Sequence, residues 1–298
     1  AIIGACLLSQ GCSSVDNANS GSSGAIMEQV VIAEPLPINY KSEIAIARLS
    51  EVLDRVKITD EQRAQLYYDR GVLYDSVGLR GLARLDFSHA LQLQPTLVDA
   101  YNFLGIHYTQ LQEFTQAYDQ FDSALDLDPL HEYAYLNRGI ALYYGSRPEL
   151  AAEDFHSFHS KQQDDPYRLL WLYLTEHEID PQSAINLLSE RANSVQEYTW
   201  AKQIIYLYLG ELSEDSFIAG LTANIRSNKE LTDRLCEAYF YLGKYQQRLG
   251  NNAKAANYFK LALSTNVYEF VEHRYAKLEL DLMRTLTFVE STEPSDSP

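Results

Sequence analysis

Apolar positions along the chain recur in steps of three and four, the spacing of one face of a helix, and the steps themselves recur every 34 residues. The stretch YYDRGVLY (67–74) returns as YNFLGIHY (101–108) and again as YLNRGIAL (135–142). With Gly71, Gly105 and Gly139 aligned as position 8 of a unit, position 4 is Tyr67, Tyr101 and Tyr135, and position 11 is Tyr74, Tyr108 and Leu142. Position 20 is Ala83, Ala117 and Ala151, and position 24 is Phe87, Phe121 and Phe155. Position 27 is Ala90 and Ala124, then Phe158; position 32 is Pro95 and Pro129, then Gln163. Positions 4, 8 and 11 share one face of a first helix, and positions 20, 24 and 27 share one face of a second. Small residues at 8 and 20 let two helix backbones approach, and the large ones fill the space around that contact. Proline at 32 ends the second helix. Such a pair cannot bury its faces alone, so units must stack on one another.

The pattern divides the chain into units 64–97, 98–131 and 132–165, the last worn in its second half. A further unit, 236–269, carries Tyr239, Leu242, Gly243, Ala255, Phe259 and Ala262. Between them, 166–235 is close to two unit lengths and reads as helices, with Asp180-Pro181 as a start and Gly210 as a stop after QIIYLYL. Thr59-Asp60-Glu61-Gln62 forms a capping box ahead of the first unit. Ile46, Leu49, Leu53 and Val56 make a stripe over about 41–57, and Phe270, Tyr275, Leu278 and Leu282 make one after the last unit. The predicted fold is all-α: a helical solenoid over 39–284 with extra N- and C-terminal helices, followed by a disordered tail over 285–298. The extra helices either cap the solenoid or exchange with a second subunit.

This set of spaced positions is similar to the tetratricopeptide repeat (TPR) signature, which units 64–97 and 98–131 match at every diagnostic position. The resemblance implies that the first helices line a concave groove through positions 2, 5, 9 and 12. The groove residues expected to bind protein are Tyr68, Val72, Asp75, Asn102, Ile106, Thr109, Tyr133, Leu136, Ile140, Tyr143 and Tyr144. The late unit adds Glu237, Phe240, Lys244 and Gln247. The early units place one Asn and no cation there, so capture of a peptide's terminal carboxylate is not expected. An aromatic, aliphatic and mildly acidic surface suits an apolar or basic segment of a protein. The alternative is that these residues pack only against neighbouring helices, or against a terminal helix folded into the groove.

Charge narrows the choice of partner. The chain has 24 Lys+Arg against 41 Asp+Glu, a net −17, which argues against a phosphate-binding face and favours basic protein partners over nucleic acid. Candidate chemistry is sparse. There is no GxSxG, HExxH, SxxK or P-loop spacing, and no CxxC or Cys/His cluster. His156 and His159 could share a helix face but lack further ligands, so they read as a solvated pair; Cys236 reads as a buried bystander. The Asp and Glu residues read as solvated helix surface. The expectation is therefore no enzyme, no cofactor and no metal.

The first residues, AIIGACLLSQGCSS, resemble the end of a bacterial lipoprotein signal over 1–11, with Gly11 before the cleavage and Cys12 carrying the acyl chains. Cys6, after Ile3-Gly4-Ala5, is the alternative, but it would leave Leu7-Leu8 exposed on the mature chain. The polar segment that follows makes 12–38 a flexible tether, roughly 25–30 Å long as a random coil. Ser13 stands where an Asp would favour the inner membrane, so the resemblance implies anchoring in the outer membrane, facing the periplasm. The apolar run is too short to span a bilayer.

Four stretches carry a closer likeness: DEQRAQLYYDRGVLYDSVGLRGLARLDFSHAL, YLNRGIALYYG, FYLGKY and FVEHRYAKLEL. From about Ser42 to Met283 the chain resembles the NlpI family of outer-membrane TPR lipoproteins. That resemblance implies a homodimeric periplasmic adaptor. It would bind murein endopeptidases and other cell-wall enzymes together with a tail-specific periplasmic protease, and so promote degradation of a murein endopeptidase. The alternative is a TPR lipoprotein that assists assembly of outer-membrane or pilus components.

Overall fold

Several helices begin or end at residues that the sequence marks as caps. Thr59 accepts the Gln62 N–H on its hydroxyl at 3.2 Å, while the Gln62 side chain accepts the Thr59 N–H at 3.1 Å, so two orphan donors are satisfied reciprocally. Asp180 accepts the N–H groups of Gln182 and Ser183, and Pro181 supplies the first helical residue. Gly210 ends its helix in the left-handed region at φ +76°, where a side chain would be strained.

The structure, a computed structural model, describes residues 30–197 and 199–292. The candidate lipidation residue Cys12, the segment 1–11 and the last six residues lie outside them. Among the described residues there are fourteen α-helices and no strands. They are α1 (Tyr40–Arg55), α2 (Asp60–Ser76), α3 (Arg80–Leu93), α4 (Val98–Gln110), α5 (Phe114–Leu127), α6 (Glu132–Tyr144) and α7 (Pro148–Lys161). There follow α8 (Pro166–Ile179), α9 (Pro181–Arg191), α10 (Lys202–Leu209), α11 (Glu214–Gly220), α12 (Asn228–Arg248), α13 (Asn252–Leu263) and α14 (Val271–Thr292). The array is a TPR-type solenoid with an extra helix at each end. No described helix is long and apolar enough to cross a membrane.

The pairs α2–α3, α4–α5, α6–α7 and α12–α13 share one contact. Position-24 phenylalanine, fully buried in each, packs against the position-8 glycine of its partner helix. A β-carbon added to Gly71, Gly105 or Gly139 would sit 2.7, 2.6 or 3.1 Å from the facing ring. Burying each ring contributes roughly 1.5–3 kcal/mol, and the absence of a Cβ is what admits it. Two of the pairs also share an ion pair. Arg70 Nε donates to Asp86 at 2.6 Å and Arg138 Nε donates to Asp154 at 2.8 Å, each in a two-pronged contact between the helices of one pair.

The second half packs differently. Helices α10 and α11 are only 8 and 7 residues long, so 166–235 contains one full pair and one short pair. Helix α12 starts at Asn228, ahead of the unit boundary predicted at 236, because Ser227 caps it by accepting the Glu230 N–H. Trp171, Tyr208, Phe240, Tyr241 and Tyr275 build one large aromatic core here. Two boundaries shift at the ends. Val31 to Leu36, assigned to the tether, lie against the body: the Val31 carbonyl accepts from Tyr239, the Glu34 carbonyl from Asn228 and Thr232, and the Leu36 N–H donates to Thr265. Helix α14 continues to Thr292, past the predicted tail boundary at 285.

Candidate protein-binding face

The predicted groove positions lie on α2, α4, α6 and α12, and α14 packs on these helices and on Trp171 of α8. Asp75 marks the first attachment. It is 3% exposed, it accepts from His107 Nε2 at 2.8 Å, and its other oxygen pairs with Arg274 of α14. Burial pushes the Asp75 carboxyl up, but the His107 hydrogen bond and the Arg274 charge outweigh it, and the group ionises below its usual range. Burial holds His107 below its ordinary value in spite of Asp75, so its imidazole acts as a neutral N–H donor.

The second attachment is Glu279. One oxygen accepts from the Tyr144 hydroxyl at 2.8 Å and from Lys244 Nζ at 2.7 Å; the other accepts from Gln247 at 2.8 Å. Burial lowers the Lys244 pKa, but Glu279 more than compensates, and the ammonium stays charged. Tyr275 stacks on Tyr144 at 5.4 Å and meets Trp171 edge-on at 6.1 Å. The terminal helix thus occupies part of the groove.

The remaining groove residues divide by what they touch. Tyr68 and Val72 pack on the Phe87 and Leu104 cluster. Asn102 accepts from Asn137 at 3.0 Å, linking two repeats, and Thr109 donates to the Gly105 carbonyl. Ile106 joins Ala117 and Phe121; Leu136 and Ile140 join the large core. Tyr143 lies under Lys244, whose Nζ is 5.0 Å from the ring centre. Tyr133 differs from all of these, being 60% exposed.

Cavities open along this face among the described residues. One, of about 570 Å³, lies between Tyr143, Tyr173, Tyr208, His177, Lys244 and Arg248. Another, of about 460 Å³, is bounded by Tyr133 and Leu136 of α6, by Arg168 and Trp171 of α8, by Glu237 of α12, and by Phe270 and Glu272 at the start of α14. Burial raises Glu237 to about 7 and Glu272 to about 8, the latter helped by the charge of Glu237.

Several acidic residues expected at a solvated surface are therefore inside: Asp75, Asp86, Asp154, Glu272 and Glu279 are all buried. The His156–His159 pair departs from expectation in the same way. His156 is half exposed beside Glu176 at 3.4 Å, whereas His159 is buried and its pKa is lowered by burial. Cys236 is fully buried, and burial pushes its thiol well up. Among the described residues, no group of three or more His, Cys, Asp or Glu is placed to hold a metal ion. The residues that sequence reasoning missed are Arg274 and Glu279, the charges that fasten α14. The available signal was charge complementarity, since Asp75 and Lys244 both fall on groove positions.

No protein-family model matches the chain. Among solved structures it is similar to a tetratricopeptide repeat protein from Parabacteroides merdae, at 16% identity and a TM-score of 0.50, over 83% of this chain and 100% of that one. It is also similar to YrrB, described as a TPR protein with an unusual peptide-binding site, at 15% identity and a TM-score of 0.42, over 77% of this chain and 97% of that one. A third is PilF of Pseudomonas aeruginosa, at 14% identity and a TM-score of 0.38, over 80% and 98%. The first of these likenesses, with the repeated Gly–Phe contact, establishes the TPR fold.

Proposed function

We propose that the protein is a non-enzymatic scaffold that binds other proteins on its concave face. In this reading it is a homodimer fixed to the outer membrane by lipid at Cys12. It holds murein endopeptidases and other cell-wall enzymes beside a tail-specific periplasmic protease, and so promotes degradation of an endopeptidase. The observation that carries the binding role is Tyr133. It sits on a groove position yet remains 60% exposed, at the mouth of an aromatic and acidic cavity that α14 leaves open. Exposed aromatic rings beside a cavity are the usual anchors of protein contacts. The chain's acidity favours basic partners such as wall enzymes, and the NlpI-family likeness names the partners. The mechanism is effective concentration: two proteins held on one surface meet far more often than in free solution.

The decisive experiment mixes purified tail-specific protease with a murein endopeptidase and follows loss of the endopeptidase with and without this protein. Faster loss in its presence is expected. An unchanged rate, together with no binding of either enzyme to the immobilised protein, would refute the adaptor role. Recovery instead of secretin or barrel subunits on the same resin would favour the assembly reading.

A further inference from the structure

The cavity between α6, α8, α12 and α14 holds two carboxylates that lack a counter-ion. Glu237 Oε2 accepts from the Tyr167 hydroxyl at 2.5 Å and from Trp200 Nε1 at 2.8 Å, while its other oxygen makes no hydrogen bond among the described residues. Glu272 is 6% exposed; its carboxylate accepts from the Tyr241 hydroxyl at 3.3 Å and from its own backbone N–H, with no cation among its partners. Neither forms an ion pair within the described residues, although most buried acids of this chain do.

The neighbouring charges do not supply what is missing. Asp165 and Glu269 also line the cavity and add negative potential. Arg168 lines it too, but its guanidinium is engaged by the Phe158 carbonyl at 2.7 Å, by Glu132 at 3.0 Å and by Asp165 at 3.7 Å. On α12, Arg234 is bound to Glu230 and to the carbonyls of Leu221 and Ala223, and Asp233 pairs with Lys229. Aromatic residues also line the cavity: Tyr133, Trp171 and Phe270, with Phe158, whose ring already carries the Arg168 guanidinium at 3.9 Å. Carboxylates and aromatic rings lining one cavity form an environment complementary to a cation on an aliphatic stem.

We propose that this cavity receives a lysine or arginine side chain of a bound partner segment. The proposal rests on the protein-binding reading above and gives it a chemical specificity. An ammonium between Glu237 and Glu272 supplies the missing charge, and its methylene stem packs on Trp171 and Tyr133. The raised pKa values of the two acids record the same deficit from the protein's side, since a nearby cation would favour their ionised forms.

The test uses the full chain, whose only two tryptophans, Trp171 and Trp200, both touch this site, so intrinsic emission reports on it. The probe is Nα-acetyl-lysine methylamide, with N-acetyl-norleucine methylamide, the same four-carbon stem without the ammonium, as the uncharged control. The lysine probe is expected to shift tryptophan emission saturably and the norleucine probe to do so at least tenfold more weakly. Lysine stays charged between pH 6 and pH 8.5, so the affinity of the unaltered protein should rise at least fivefold over that range as the two acids ionise. Glu272→Gln should lower it at least tenfold at pH 8.5. Equal response to both probes, no saturable response to either, or a pH-independent affinity would overturn the proposal; the last measurement needs no variant to fold. Absence of lysine binding combined with accelerated endopeptidase loss would discard the cavity assignment and leave the scaffold reading standing.

Discussion

Gly105 and Phe121 meet so closely that a single methyl group on the glycine would fall 2.6 Å from the ring. The same relationship joins Gly71 to Phe87 and Gly243 to Phe259, so it is the contact that defines a repeat and sets the distance between its two helices. Gly105→Ala should therefore lower stability by about 1–3 kcal/mol, in spite of alanine's better helix propensity. Gly81 is the control: it lies in α3, and nothing is within 4 Å of a β-carbon added there. Gly81→Ala should stabilise by about 0.5–1 kcal/mol. Denaturation midpoints followed by far-UV circular dichroism separate the two, and a stabilising Gly105→Ala would contradict the packing described.

The fastening of α14 has a different signature. The side chains of Asp75 and Arg274 are 3% and 10% exposed, so removing Arg274 leaves the buried Asp75 carboxylate with its His107 hydrogen bond but without its ion-pair partner. Arg274→Ala should cost roughly 3–5 kcal/mol, with Arg274→Lys retaining part of it. Hydrogen exchange should rise over residues 271–285, while α4 and α5, held by Gly105 and Phe121, remain protected. Uniform loss of protection across the array would show that α14 is integral to the fold rather than laid upon it.

Stability should respond to pH in a window set by the acid pair. Glu237 and Glu272 titrate at about 7 and 8 when folded, above the ordinary carboxyl value. The folded chain therefore holds more protons than the unfolded chain, and this contribution, full in acid, is lost as pH rises through 7 and 8. His273 acts oppositely. Burial lowers it to about 4, so stability increases with pH between 4 and its unfolded value near 6.5. Between pH 6.5 and 8 the acid pair acts unopposed, and stability should fall by on the order of 1 kcal/mol. Glu272→Gln should reduce the slope of a thermal-midpoint profile in that window, leaving the part due to Glu237 near pH 7. An undiminished slope in the variant would assign the effect elsewhere.

Anchoring can be examined apart from the fold. Cys12→Ser should move the protein from the membrane fraction to the soluble periplasm, because several acyl chains at about 0.8 kcal/mol per buried methylene are what would hold it. Cys6→Ser should leave the distribution unchanged. The reverse pattern would transfer the anchor to Cys6.

The repeats were legible in the sequence because their contact is local. Glycine and phenylalanine sixteen positions apart pack within one helix pair, so a fixed spacing encodes the geometry directly. The state of the groove was not legible for the converse reason. Arg274 reaches an acid 199 residues away and Glu279 a lysine 35 residues away, and a search for apolar stripes passes over both. Burial of Glu237 and Glu272 was hidden in the same manner. In a chain of net charge −17, an acidic residue carries little information until its surroundings are known.

Those surroundings also rank the groove residues as contacts for a partner. Tyr143 lies against Lys244, and Tyr144 is committed to Glu279 and Tyr275, so both are occupied within the chain. Tyr68 is half buried against Phe87 and Phe103, with ring centres 6.0 and 6.3 Å away. Tyr133, by contrast, is 60% exposed and touches Phe158 at 6.2 Å, so its loss removes a surface without opening the core. Tyr133→Ala should leave the thermal midpoint nearly unchanged while slowing protease-dependent loss of the endopeptidase by tenfold or more, the weight of a truncated aromatic anchor. The double change Tyr68→Ala with Tyr143→Ala should slow that loss as well, but only together with a measurable fall in stability, since both rings pack inside the protein. If the double variant abolished the effect while Tyr133→Ala did nothing, the binding surface would lie under α14, and the terminal helix would have to leave the groove before a partner could enter.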